Sequence, residues 1–140
     1  MKYIKIFELF DTTYDFKLVK SEVEKRFPPL YDFTYEFTTK NNVTYIVYLW
    51  ILNGMCKLDF ETKSNLKKHT SKSGKIGTYD SFRVFNTIKD IIYTNKHLMK
   101  KIIIEANRKE RLDFYIKLVE YMGLEYTISD IKKNMISVKI

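Results

Sequence analysis

The sequence predicts an α/β protein of the α+β kind, with a mixed, mostly antiparallel sheet, one parallel βαβ crossover and flanking helices. Two observations predict it. Residues 31–61 hold three strand-like segments separated by two turn signals, which is the pattern of a meander. After them, a helical period through Phe82, Phe85, Ile88 and Ile92 leads into a short apolar strand, Lys101 to Glu105. A strand–helix–strand unit crosses over right-handedly and sets its two strands parallel. The 140 residues are expected to form one domain, residues 1–140.

The elements follow in order. Lys2 to Leu9, with Tyr3, Ile4, Ile6, Phe7 and Leu9, is a first strand. Asp11-Thr12-Thr13 is a cluster of helix-starting residues, and Phe16, Val19, Val23 and Phe27 at three- and four-residue spacing then predict a helix. Pro28-Pro29 stops it, because neither residue donates a backbone hydrogen bond. Tyr31, Phe33, Tyr35 and Phe37 alternate with Asp32, Thr34, Glu36 and Thr38, the period of a strand with one wet face. Lys40-Asn41-Asn42 is a turn. Val43 to Leu52, nearly all apolar, reads as a central strand buried on both faces. Asn53-Gly54 is a strong hairpin signal, and Cys56, Leu58 and Phe60 alternate after it with Lys57, Asp59 and Glu61. Beyond the crossover, Asn107 and Glu110 form a start resembling a capping box. Leu112, Tyr115, Val119 and Met122 mark a helical face, Gly123 ends that helix, and Leu124 to Ser129 pairs with Met135 to Ile140. The predicted order is β-α-β-β-β-α-β-α-β-β.

Composition excludes several classes. With 45% hydrophobic residues and 22 aromatic ones, the chain is not expected to be disordered. The single cysteine, Cys56, rules out an internal disulfide, and with His69 and His97 it has no zinc-ligand spacing. No apolar run approaches a membrane span, and Lys2, Lys5 and Glu8 do not read as a signal peptide. A cytoplasmic protein is expected. One alanine, Ala106, and 21 lysines against 4 arginines reflect an AT-rich genome, so many lysines need no functional account.

The net charge is +8, and residues 62–79 hold five lysines, His69 and no acid. This loop leaves the carboxyl end of a strand and enters a helix at its N-terminus, where free N–H groups favour an anion. A solvated loop explains it equally well, and Asp80 would compete for the same donors. It is not a P-loop, since Ile76 follows Gly74-Lys75. Nucleic-acid binding is an alternative partner reading, opposed by aromatics that sit at core spacing away from these lysines. Asp59 and Glu61 share a strand face and could act as a base or bind an amine, or simply be that strand's polar face. Tyr115 lies on the apolar stripe of the last helix, and Arg111, one turn earlier, would pair with a carboxylate or cap the sheet edge.

The element order resembles the GNAT superfamily of N-acetyltransferases over most of the chain, and the Phe-Arg-Val-Phe-x-Thr-Ile stretch at 82–88 is similar to small phage proteins of GNAT-like type. In that family the loop between the fourth strand and the next helix carries Gln/Arg-x-x-Gly-x-Gly/Ala and holds the coenzyme A pyrophosphate. Here the stretch is Gly74-Lys75-Ile76-Gly77-Thr78-Tyr79, in which Gly77 matches, Gly74 replaces Gln/Arg and Tyr79 replaces the second small residue. The resemblance implies a cofactor site at Lys75, Ile76, Gly77, Thr78, Tyr79, Asp80, Ser81 and Phe82 for acetyl-coenzyme A. It also implies Tyr115 as general acid toward the thiolate, matching the tyrosine of the family's Asn-x-x-Ala-x-x-Leu-Tyr, with Glu61 or Asp59 accepting the proton of the amine substrate. Two functions follow: an acyl-coenzyme A-dependent N-acyltransferase, or a GNAT-like fold without catalysis that serves a phage as a structural or host-interaction protein.

Overall fold

A computed structural model describes residues 13–63, 78–106, 109–130 and 132–140 of the chain. Among them a seven-stranded sheet carries two α-helices. The elements are β1 (Phe16–Glu24), β2 (Leu30–Thr38), β3 (Thr44–Leu52), β4 (Gly54–Thr62), α1 (Thr78–Thr94), a 3₁₀ turn (Lys96–Leu98), β5 (Met99–Glu105), α2 (Lys109–Tyr121), β6 (Tyr126–Asp130) and β7 (Met135–Lys139). The strand order is β1-β2-β3-β4-β5-β7-β6. Neighbours are antiparallel except β4 and β5, which are parallel, as the crossover predicts.

The meander is the expected one. Asn53 and Gly54 both take positive φ, 52° and 80°, as a tight hairpin turn requires. That turn sets Leu49 opposite Leu58 and Ile51 opposite Cys56. One face of the sheet, called inner here, therefore collects Tyr35, Phe37, Tyr45, Val47, Leu49, Ile51, Cys56, Leu58 and Phe60, all buried. Ile102, Ile104, Ile136 and Val138 extend it across β5 and β7. β3 departs from expectation on its other face, where Tyr48, Trp50 and Leu52 are only half-buried.

Both helices lie against the inner face. The α1 residues Val84, Ile88, Ile91 and Ile92 are fully buried, and Asn95 just beyond the helix donates from Nδ2 to the Tyr35 hydroxyl at 3.1 Å. Leu112, Tyr115, Leu118 and Val119 form the buried stripe of α2. The two helices meet through Phe85 and Phe114, whose ring centroids are 5.1 Å apart, and through Tyr121, which donates to Asn86 Oδ1 at 2.6 Å. Gly123, at φ 72°, ends α2, and the N–H of Leu124 returns to the Val119 carbonyl.

One prediction fails. The segment expected to be a helix from Thr13 to Phe27 is the strand β1, paired antiparallel with β2. Its apolar residues line no helical face, since Val19 and Val23 are each 47% exposed and Phe27 is fully exposed. The strand also carries a β-bulge. Leu18 lies opposite Tyr35 and Lys20 opposite Thr34, so Val19 is an extra residue. Of the residues read as a helical face, only Phe16 and Val23 share the inner side; Val19 is the bulge residue and Phe27 lies beyond the strand's end, so their helical spacing is coincidental. The strand predicted at Lys2 to Leu9 and the start at Asn107 lie outside the described residues.

Candidate functional site

The parallel pair creates the feature beside which Asp59 and Tyr115 meet. β4 and β5 pair only as far as Leu58 and Ile104, while β4 continues to Thr62 beside β3. Residues Asp59–Thr62 therefore have a strand on one side only. This lies at the carboxyl ends of the parallel strands, where open sheets leave a crevice.

Side chains from α2 occupy that edge. Arg111 donates from Nη2 to the Phe60 carbonyl at 2.6 Å, so it caps the sheet edge, one of its two expected roles. One helical turn on, the Tyr115 hydroxyl donates to Asp59 Oδ1 at 3.0 Å. Its ring packs edge-on against Phe60 with centroids 4.9 Å apart. Asp59 projects toward the outer side of the sheet and α2 lies on the inner side. A helix side chain can reach that carboxylate because the pairing of β4 with β5 stops at Leu58. Asp59 Oδ1 also accepts the N–H of Phe60 at 2.9 Å.

The sequence-predicted residues thus divide. Tyr115 and Asp59 are brought together. Glu61 shares the outer face with Asp59 but is engaged separately, accepting from the Tyr48 hydroxyl at 2.8 Å. Lys75, Ile76 and Gly77 lie outside the described residues. Thr78, Tyr79, Asp80 and Ser81 form the first turn of α1. Phe82 is 47% exposed and leans on Tyr121, with centroids 5.4 Å apart, so its ring belongs to the contact between helices.

Electrostatics favours protonated hydroxyls at this edge. Tyr115 is 1% exposed, and its pKa is pushed well above the usual tyrosine value. Burial is the main cause and the Asp59 charge adds to it, while Arg111 opposes. The Tyr48 pKa rises to about 12, through partial burial and then its bond to Glu61. Burial alone raises the Cys56 thiol to about 12, which makes it a poor nucleophile. Among the described residues no three His, Cys, Asp or Glu side chains converge to hold a metal, and no helix is long and apolar enough to cross a membrane.

Two features escaped the sequence reading. A pocket of about 620 Å³ is lined by Lys100, Lys101, Leu124, Tyr126, Ser137 and Lys139. Lys101 stands directly opposite Lys139, an arrangement invisible in a sequence where they lie far apart. Tyr48 and Trp50 stack on the outer face with centroids 5.6 Å apart, and Lys57 lies opposite Trp50. Two aromatics therefore lie beside a lysine, Lys57, which is not one of the lysines of residues 62–79. Comparison of the chain with family models, curated proteins and solved structures finds no match.

Proposed function

We propose that the chain is an acyl-coenzyme A-dependent N-acyltransferase of GNAT type, with its reactive centre at the open edge of β4. The observation that carries this reading is that β4 outruns its parallel partner β5 by Asp59–Thr62, while α2 sets Tyr115 and Arg111 against that edge. An acyl thioester would supply the activated carbonyl. The Phe60 N–H, which faces the open edge and now donates to Asp59 Oδ1, would stabilise its oxyanion once released from that carboxylate. Asp59 or Glu61 would take the proton of the attacking amine through water, and the Tyr115 hydroxyl would donate its proton to the leaving sulfur. Tyr115 would have to release Asp59 to do so, because its hydroxyl now donates to that carboxylate.

The bond to Asp59 is also what favours the second reading, a GNAT-like fold without catalysis that serves as a phage structural or host-interaction protein. In that case Tyr115 is a core residue tying α2 to β4. Calorimetric titration of the full chain with acetyl-coenzyme A, followed by a transfer assay over a panel of amines, separates the two. On the first reading binding is measurable, Gly77→Pro abolishes it by removing a backbone donor, and Tyr115→Phe lowers turnover ~10²-fold. Absence of both binding and transfer leaves the second reading.

A further inference from the structure

The outer edge of β1 has no partner among the described residues, and eight of the nine β1 residues are exposed. Long bare edges invite pairing, and proteins commonly blunt them with charges and bulges. β1 has both, but its charges are ordered. Lys17 and Lys20 stand in the first half of the strand, Glu22 and Glu24 in the second. We propose that β1 is a self-association strand, through which two copies of this chain pair antiparallel about a two-fold axis at Ser21.

The register follows from the faces. Pairing with β2 puts Lys17, Lys20, Glu22 and Glu24 on the outer side and Leu18, Ser21 and Val23 on the inner side, with Val19 as the bulge residue. With Ser21 opposite its own copy, Lys20 meets the partner's Glu22. Past the bulge, Leu18 meets the partner's Val23 and Lys17 meets the partner's Glu24. Every pair then shares a face, each charge meets its opposite, and Leu18 meets the partner's Val23, with only the bulge residue Val19 left without an opposite. A parallel, in-register pairing would set lysine on lysine and glutamate on glutamate.

The free chain leaves these groups available. Leu18 and Val23 are 48% and 47% exposed. Lys17 and Glu24 form no ion pair among the described residues. Lys20 already holds Asp32 at 3.0 Å and lies 3.7 Å from Glu22, whose side chain is 69% exposed. The outer pair, Lys17 with the partner's Glu24, can therefore be tested without breaking an ion pair inside the subunit, although Lys17 stands opposite Glu36 across β1 and β2. The interface is isologous, so each substitution acts twice.

The test is a charge swap on the full chain, read by analytical ultracentrifugation at low salt across a wide concentration range. The wild type is expected to show a monomer–dimer equilibrium. Lys17→Glu and Glu24→Lys should each weaken it about tenfold or more, since two opposite-charge pairs become two like-charge pairs. An equimolar mixture of the two variants should restore dimerisation. One variant then carries only acids at positions 17 and 24 and the other only lysines, so opposite charges meet at both ends of the pairing. Glu24→Lys, opposite Leu30, should keep the wild-type melting temperature, which separates lost pairing from lost folding, whereas Lys17→Glu sets acids opposite each other at 17 and 36 and should lower it slightly. A wild type that stays monomeric overturns the proposal, as does a mixture no stronger than either variant alone. Amide protection of residues 17–24 that does not change with concentration would also overturn it, by showing the edge covered within one chain.

Discussion

Strands β1 and β4 are each nine residues long and each has an antiparallel neighbour, yet they differ sharply in burial. β4 lies mid-sheet, and Cys56, Leu58, Phe60 and Thr62 are all buried. β1 lies at the edge and none of its residues is buried. In β4 the alternation of apolar and polar residues is imposed by the core, so it is clean and the register is fixed by it. In β1 nothing enforces alternation. A bulge can be accommodated there, and apolar residues can stand in solvent.

The sharpest probe is one substitution made in both strands. Leu58 is 1% exposed and Leu18 is 48% exposed. Leu58→Ala should cost 2–5 kcal/mol, roughly the range for a buried leucine that leaves a cavity, measured by urea unfolding. A cost below about 1 kcal/mol would show that the core around β4 collapses into the space. Next in size is Tyr115→Phe, which probes the part of β4 that has lost its strand neighbour. A hydrogen bond to a charged group contributes about 1.5–3 kcal/mol, so a loss near 1.5 kcal/mol is expected, with the fold retained.

The same variant has a pH signature. Tyr115, Tyr48 and Cys56 all have folded-state pKa values raised above their ordinary ones. Below the ordinary values the folded and unfolded chains hold the same protons and the contribution is fully present. Above them the unfolded chain releases protons that the folded one keeps, so stability falls as pH rises. The decline should run from the ordinary thiol value of 9.0 up to about 12, where Tyr48 and Cys56 titrate in the folded chain. Tyr115→Phe should flatten it, and an unchanged slope would mean that Tyr115 ionises freely in the folded state. The smallest effect belongs to Leu18→Ala, which should change stability by no more than about 0.5 kcal/mol, as surface substitutions do. A larger loss in the monomer would mean that β1 is better packed than its exposure indicates.

How much could be read in advance follows the same division. The meander, its two turns, the parallel crossover and the buried stripe of α2 were legible, because at each of them one face meets the core. Asn53-Gly54 fixed a hairpin through its backbone requirement alone. β1 was not legible, because an exposed edge strand with a bulge at Val19 imposes no alternation on its apolar residues, and their spacing happens to match a helix. At the site, the shared face of Asp59 and Glu61 followed from strand geometry. Their separation into two bonds, one to Tyr115 and one to Tyr48, did not. That depends on the pairing of β4 with β5 stopping at Leu58, and strand ends are set by tertiary pairing, which local sequence reports poorly.

The parallel pairing of β4 with β5 has a kinetic consequence. The sheet consists of two antiparallel blocks, β1 to β4 and β5 to β7, joined along this one seam. Contacts within the first block link strands that follow one another along the chain, and short loops close quickly. Across the seam Cys56 must find Ile102, so the entropy of closing that long loop is spent before any of its bonds form. The first block can assemble from its own hairpins, whereas the seam waits on the chain between, so the seam is expected to form last, as φ-values near zero for Cys56 and Ile102 would show.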